Sequence, residues 1–196
     1  LGDVYKRQAV APPLVSFYPR FHHANVELRT AYLDSTMEKL MSAWNDDPLR
    51  NNSHHSKQKI RLILLGGGYD LRSFRMAQKF TSKDSGSRIE ELIELDLPQV
   101  IQAKQLLLQR RFLPRRPEFK GVASQIRTVG VDLNQVEQVR STLDEIISSN
   151  PPENASNNKN DGTGSGDNWY TVFVFEAVLI YLDPGIPSQL LKALSE

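Results

Sequence analysis

The sequence predicts an α/β fold: a mainly parallel sheet with helices on both faces. Three observations predict it. From residue 60 onward, short apolar runs alternate with stretches of helical periodicity. The first of these runs, Ile60-Arg-Leu-Ile-Leu-Leu65, is short and rich in apolar residues, as in a buried strand. Glycine or an acid stands at the end of each run, at Gly66-Gly67-Gly68, Asp96, Asp132 and Glu176.

Each element can be justified in turn. Between Asn25 and Trp44, apolar residues recur at Val26, Leu28, Ala31, Leu33, Met37, Leu40, Met41 and Trp44, a mostly helical spacing. Asp46-Asp47-Pro48 ends that helix, because proline cannot continue one and restricts the residue before it. A polar loop follows, from Asn51 to Lys59. Ile60 to Leu65 is the first strand. Asp70 to Phe80 places Leu71, Phe74, Met76, Ala77 and Phe80 at helical spacing, and Thr81 to Arg88 is a polar turn. Ile89 to Asp96 reads as the second strand. Pro98 suits the first turn of a helix reaching about Phe112. Gln125 to Val131 reads as the third strand. Gln135 to Ser149 gathers Val136, Val139, Leu143, Ile146 and Ile147 on one helical face. Asn150 to Asn168 is low in complexity and almost devoid of apolar residues, so a disordered loop is expected. Tyr170 to Phe175 is the most hydrophobic strand, followed by Glu176, an apolar run to Leu182, and a helix from Ser188 to Glu196.

The bulk numbers bound the function. The chain has 196 residues, enough for one domain with a sizeable core. Its net charge of +1 gives no support to bulk electrostatic binding of nucleic acid or membrane. Without cysteine there can be no disulfide, thiolate chemistry or cysteine-based zinc site. No apolar run approaches the ~20 residues of a membrane span, and Leu1 to Gln8 is too polar for a secretory leader, so a cytoplasmic location is expected. The chain reads as an N-terminal fragment, with a partial domain over residues 9–196 and residues 1–8 set aside as non-native. The pairs His22-His23 and His54-His55 lie in polar segments and read as surface residues rather than metal ligands.

The chemistry concentrates at the strand ends. Glycines after the first strand allow a tight turn and close approach of a ligand. A dinucleotide fingerprint would need a third glycine where Leu71 stands, and a phosphate loop would need a following Lys-Ser/Thr pair, so neither is supported. A plain strand-to-helix turn is the competing reading. Asp96 can accept two hydrogen bonds from a ribose diol, or serve as a helix cap before Pro98. Asp132 can accept an adenine amine, or again cap a helix. Glu176 follows a strongly apolar run, where a carboxylate without a cationic or donor partner is costly. Together, the glycine turn and the three acids form a ring along one sheet edge that matches S-adenosyl-L-methionine.

These residues resemble the leucine carboxyl methyltransferase family, also described as protein phosphatase methyltransferases. Ile63-Leu-Leu-Gly-Gly-Gly-Tyr-Asp70 with Ser73-Phe-Arg75 is similar to the family's first motif. Ile93 to Pro98 with Lys104 is similar to the second, Val131-Asp-Leu133 to the third, and Phe175 to Leu182 to the fourth. Arg29 with Tyr32 resembles an upstream Arg-aromatic element. One departure is Asn134, where the family often has arginine.

The resemblance implies a Rossmann-like class I methyltransferase fold whose C-terminal part is missing, with S-adenosyl-L-methionine as cofactor. It implies that Arg29 meets the cofactor's carboxylate, Gly66 and Gly68 line its methionine, and Asp96 holds the ribose. Asp132 and Leu133 would frame the adenine, Glu176 would face the amine, and Tyr181 would border methyl transfer. The implied reaction methylates a C-terminal leucine carboxylate, foremost that of a type 2A protein phosphatase catalytic subunit. The alternatives are a branch acting on a hypermodified guanosine in transfer RNA (wybutosine synthesis), a small-molecule O-methyltransferase, and a cofactor-binding fragment without catalysis. No metal, no membrane and no NAD binding is expected.

Overall fold

The computed structural model describes residues 20–45, 59–80, 89–148 and 169–195. The expected non-native residues 1–8, the 150–168 loop, His54 and His55 lie outside the described residues, as do the turns expected at 46–58 and 81–88. The elements are helix α1 (Arg20–Asn45), strand β1 (Lys59–Leu65), helix α2 (Arg72–Phe80), strand β2 (Ile89–Asp96) and helix α3 (Pro98–Leu107). A π turn (Leu108–Phe112), a 3-10 turn (Pro117–Phe119), a short helix α4 (Lys120–Ala123), strand β3 (Ile126–Gly130) and helix α5 (Val136–Ser148) follow. Strand β4 (Trp169–Phe175), a 3-10 turn (Leu179–Tyr181) and helix α6 (Ile186–Ser195) complete the described chain.

The four strands form one sheet in the order β3-β2-β1-β4, and every pairing is parallel. The fold is the Rossmann-like α/β arrangement expected, with helices on both faces. Strand β1 shows why. Its alternate side chains point to opposite faces, so Ile60, Leu62 and Leu64 join Met37, Met41 and Phe80 in one core cluster. Ile63 and Leu65 join Ile93, Leu95, Val139 and Leu143 in the other. Helices α1 and α2 therefore cover one face, and α5 and α6 the other. Arg61 is the charged exception within β1. It pairs with Glu91 at 2.5 Å and stacks over Trp169.

The boundaries differ from the sequence expectation for local reasons. Helix α1 begins at Arg20 rather than Asn25. Helix α2 begins at Arg72, because Asp70 belongs to the turn and accepts the Arg72 amide at 3.1 Å. The helix from Pro98 does reach Phe112, but only as a π turn, in which the Leu113 amide donates to the Leu108 carbonyl. The two short helices between Pro117 and Ala123 carry no periodicity long enough to read. What holds them is a triad of rings: Phe112 lies 5.9 Å from Phe74 and 5.4 Å from Phe119. Helix α6 starts at Ile186 rather than Ser188. Strand β4, the most hydrophobic in sequence, lies at the sheet edge among the described residues, and only Val174 is fully buried.

Candidate functional site

The strand order sets where a ligand can sit. The chain adds β2 and β3 on one side of β1 and then returns to place β4 on the other. In open α/β sheets of this kind, ligands bind in a crevice beyond the carboxyl ends of the strands at such a reversal. The register puts Leu65 level with Leu95 and Phe175, and Asp96 level with Gly130. Gly66-Gly67-Gly68, Asp96, Asp132 and Glu176 therefore lie along a single edge of the sheet.

The glycine turn grows out of the strand ladder. The Gly66 amide donates to the Leu95 carbonyl at 2.8 Å, and the Asp70 amide closes onto the Gly67 carbonyl at 3.0 Å. Gly66 has φ +70 and Gly68 φ +51, both in the left-handed region. Their surroundings differ. A Cβ on Gly66 would fall 2.2 Å from Val178 Cγ2, whereas one on Gly68 would meet nothing within 4 Å. Gly66 is thus glycine because β4's exit turn presses on it, and Gly68 borders open space.

Asp96 reaches across from β2. Its Oδ2 accepts the Gly68 amide and its Oδ1 accepts the Leu97 amide, both at 2.7 Å. Each carboxylate oxygen has two lone pairs, so Asp96 keeps acceptor capacity after fixing the turn. Asp132 is held in an Asx turn by the Asn134 amide at 2.9 Å. Asn134 in turn accepts the Asp183 amide through its Oδ1 at 2.9 Å, so it ties β3's exit to β4's. Leu133, expected beside the adenine, has its side chain in the core at 5% exposure. Tyr181 is 79% exposed in the turn after β4.

Glu176 does not meet the apolar surroundings that its sequence neighbours suggest. Its Oε1 accepts from Arg29 Nε at 2.8 Å and from Thr30 Oγ1 at 3.2 Å, both on α1. Its Oε2 pairs with Arg72 Nη1. The backbone turns sharply just after it, with Ala177 at φ +55. A non-glycine residue there carries local strain of the kind found at ligand sites. Burial works to raise the Glu176 carboxyl, but the hydrogen bonds and charges of Arg29 and Arg72 outweigh it, and the net shift is downward. Arg72 is likewise opposed by burial, yet its hydrogen bond to Asp34 and the charges of Asp70 and Glu176 raise it. It therefore stays charged.

These contacts belong to a larger cluster that the sequence did not disclose. Asp34 on α1 accepts from Arg72 Nε at 2.7 Å and from Arg75 Nη2 at 2.9 Å. Asp70 stands 3.5 Å from Arg72 Nη2 and 3.6 Å from Arg75 Nη1. The available signal was Arg72 itself, an arginine beside Phe74, Met76 and Ala77 in a helix that is buried almost throughout. A second buried pair, Lys104 to Glu94 at 2.7 Å, lies under Gly67.

A sequence model of the leucine carboxyl methyltransferase family matches residues 22–147, from within α1 almost to the end of α5. The chain belongs to the leucine carboxyl methyltransferase family. Its members are S-adenosylmethionine-dependent methyltransferases. The matched segment carries Arg29, the glycine turn, Asp96, Asp132 and Leu133, while Glu176 and Tyr181 lie beyond it. No curated protein matches the chain.

The geometry fits the family's cofactor. Open space over Gly68 would admit it, and the spare lone pairs of Asp96 suit a ribose diol. Glu176 is a carboxylate already shared between two guanidiniums, and an ammonium group would find in it an acceptor of the matching charge. Among the described residues no cluster of His, Cys, Asp or Glu could hold a metal ion, and no helix is long and apolar enough to cross a membrane.

Proposed function

We propose that this methyltransferase-family chain binds S-adenosyl-L-methionine at the carboxyl edge of its sheet and methylates the C-terminal leucine carboxylate of a protein. The foremost substrate is a type 2A phosphatase catalytic subunit. The observation that carries the reading is the junction of Gly68 and Asp96. A glycine turn at the switch point is locked by a carboxylate from the next strand, beside space that no side chain fills.

When bound, the cofactor supplies a methyl group on a positively charged sulfur. The protein's part is then positional. A peptide carboxylate is already ionised near pH 7, since carboxyl pKa values lie around 3 to 4, so it attacks without a general base. What remains is to hold donor and acceptor in line and to keep water away, which can supply ~7–11 kcal/mol of the barrier. Asp96 would fix the sugar and Asp132 the adenine. Glu176 and Arg29 would hold the amino-acid end, and Tyr181 would stand at the rim where the substrate enters. Gly66 contributes by letting β4's exit turn pack closely against the cofactor loop.

One observation favours the transfer RNA branch as a second reading. Arg110, Arg111, Arg115, Arg116 and Lys120 are all exposed within a short segment around the π turn. Of these, only Arg116 makes an ion pair among the described residues, with Glu118. The end of helix α3 lies close to the glycine turn, since Leu107 and Leu108 line a small cavity with Tyr69 and Leu71. The even overall charge, a net +1, is why the protein substrate is preferred.

The test has two stages. Calorimetry with S-adenosylhomocysteine should show binding that D96A weakens at least ~10-fold, the effect of losing one charge-assisted contact. Unchanged affinity in D96A would remove the site. Radiolabelled methyl transfer is then compared between a peptide with a C-terminal leucine, the same peptide amidated, and transfer RNA. Label in the free-acid peptide alone supports the proposal. Label in transfer RNA, or binding without any transfer, overturns it.

A further inference from the structure

The proposed cofactor site explains Glu176 as an acceptor, but not the second arginine behind it. Arg72 is 3% exposed, and its single guanidinium serves acids from three separate segments. Nε donates to Asp34 of α1, Nη1 pairs with Glu176 after β4, and Nη2 stands 3.5 Å from Asp70 in the glycine turn. Nη2 is also fully buried and makes no hydrogen bond. A buried arginine with an unsatisfied nitrogen is costly to maintain. A lysine would bring a single nitrogen to acids that Arg72 meets with three separate nitrogens of one planar group.

The two arginines on Glu176 differ in kind. The Arg29 side chain is 44% exposed, so its pairing competes with water and is weak. Arg72 is screened from water, so its bonds are short, directional and strong. The groups facing Arg72 are Asp34, Asp70, Glu176, Arg29 and Arg75, giving three cations and three acids in one neutral cluster.

We propose that Arg72 is a positioning residue for the amino-acid end of the cofactor, fixing Glu176 as an aimed carboxylate and docking α1 against it. The inference rests on the cofactor reading above. Arg72 does not touch the cofactor in this scheme; it acts through Glu176. Without Arg72, Glu176 would keep Arg29 and Thr30 on Oε1 but lose the partner of Oε2, and so would be freer to change rotamer. Burial would then push its carboxyl upward toward the neutral form, which accepts an ammonium poorly. The sugar and base, held by Asp96 and Asp132 at other strand ends, would not sense the change.

Two ligands separate this role from a merely structural one. S-adenosylhomocysteine carries the amino-acid end, and 5′-methylthioadenosine lacks it. Calorimetry on the wild type, R72M and R72K is expected to show S-adenosylhomocysteine weakened about 10-fold or more in R72M. R72K should lie between R72M and the wild type, while 5′-methylthioadenosine stays within about twofold in both variants. In R72M the S-adenosylhomocysteine affinity should also fall at a higher pH than in the wild type as the solution is acidified, because the Glu176 carboxyl loses one of the two guanidiniums that hold it down. Equal losses for both ligands, no loss for either, or failure of both variants to fold would overturn the inference. A wild type that binds neither ligand would instead overturn the cofactor reading itself.

Discussion

Replacing Gly66 by alanine would force a methyl group to 2.2 Å from Val178 Cγ2 and 2.6 Å from Val178 Cβ. Neither atom is the far end of a flexible chain, so the exit of β4 would have to move. Overpacking of this kind costs about 1–3 kcal/mol. The backbone conformation, φ +70, adds about 1–2 kcal/mol for any L side chain. Alanine's smaller unfolded-state entropy returns about 0.4–1 kcal/mol. The net loss expected for G66A is therefore about 1–4.6 kcal/mol, against the ~5–15 kcal/mol by which domains are stable. Gly68 is the internal control. It has a similar φ of +51, but a Cβ there meets nothing within 4 Å. G68A should lose about 1 kcal/mol or less, because the backbone and entropy effects nearly cancel. The difference between the two variants isolates the clash. Urea denaturation read by circular dichroism measures both, with midpoints compared at equal slope. Binding should reverse the order: the new methyl of G68A sits in the space proposed for the cofactor and should weaken S-adenosylhomocysteine, although the fold is nearly intact. Unfolding free energies for G66A and G68A within about 0.5 kcal/mol of each other would refute the packing argument.

Three further outcomes are expected. Glu176 titrates at a lower pH in the folded chain than its ordinary value of 4.5, because Arg29 and Arg72 outweigh the effect of burial. Its contribution to stability is then complete above 4.5 and is lost as the pH falls below it. E176Q should flatten the acid limb of a stability profile taken between about pH 3 and pH 6, and an unchanged limb would contradict the assignment. Truncating one member of the buried Glu94–Lys104 pair, as in E94A, should cost about 3–5 kcal/mol by leaving a buried ammonium unpaired. The double variant E94L/K104M should recover much of that in thermal denaturation. D34A should loosen α1, which Asp34 ties to Arg72 and Arg75. Limited proteolysis should then cut within residues 20–45 well before the sheet, and an unaltered cleavage pattern would show that Met37 and Met41 suffice to hold the helix.

The sequence by itself determined the alternation, and with it the fold. Buried parallel strands favour apolar runs, and Ile60 to Leu65 has one broken only by Arg61, while Ile89 to Asp96 keeps apolar residues at Ile89, Leu92, Ile93 and Leu95. It also determined the site's outline, because glycines and acids at strand ends are out of place unless a turn or ligand needs them. Gly66, Gly68 and Asp96 could be named from one dimension, since a left-handed turn and a strand-end acceptor are local properties. Pairing was not local. Asp34 and Arg75 are 41 residues apart, and Arg29 and Glu176 147, so nothing in spacing could join them. Only the packing of α1 onto α2 and β4 brought those charges together. The same packing left Leu133 in the core rather than at a surface, and it let Ala177 occupy a backbone region that sequence alone would reserve for glycine. The physical reason is range. Backbone conformation and hydrophobic periodicity are set within a few residues, whereas an ion pair is decided by which elements the folded core presses into contact.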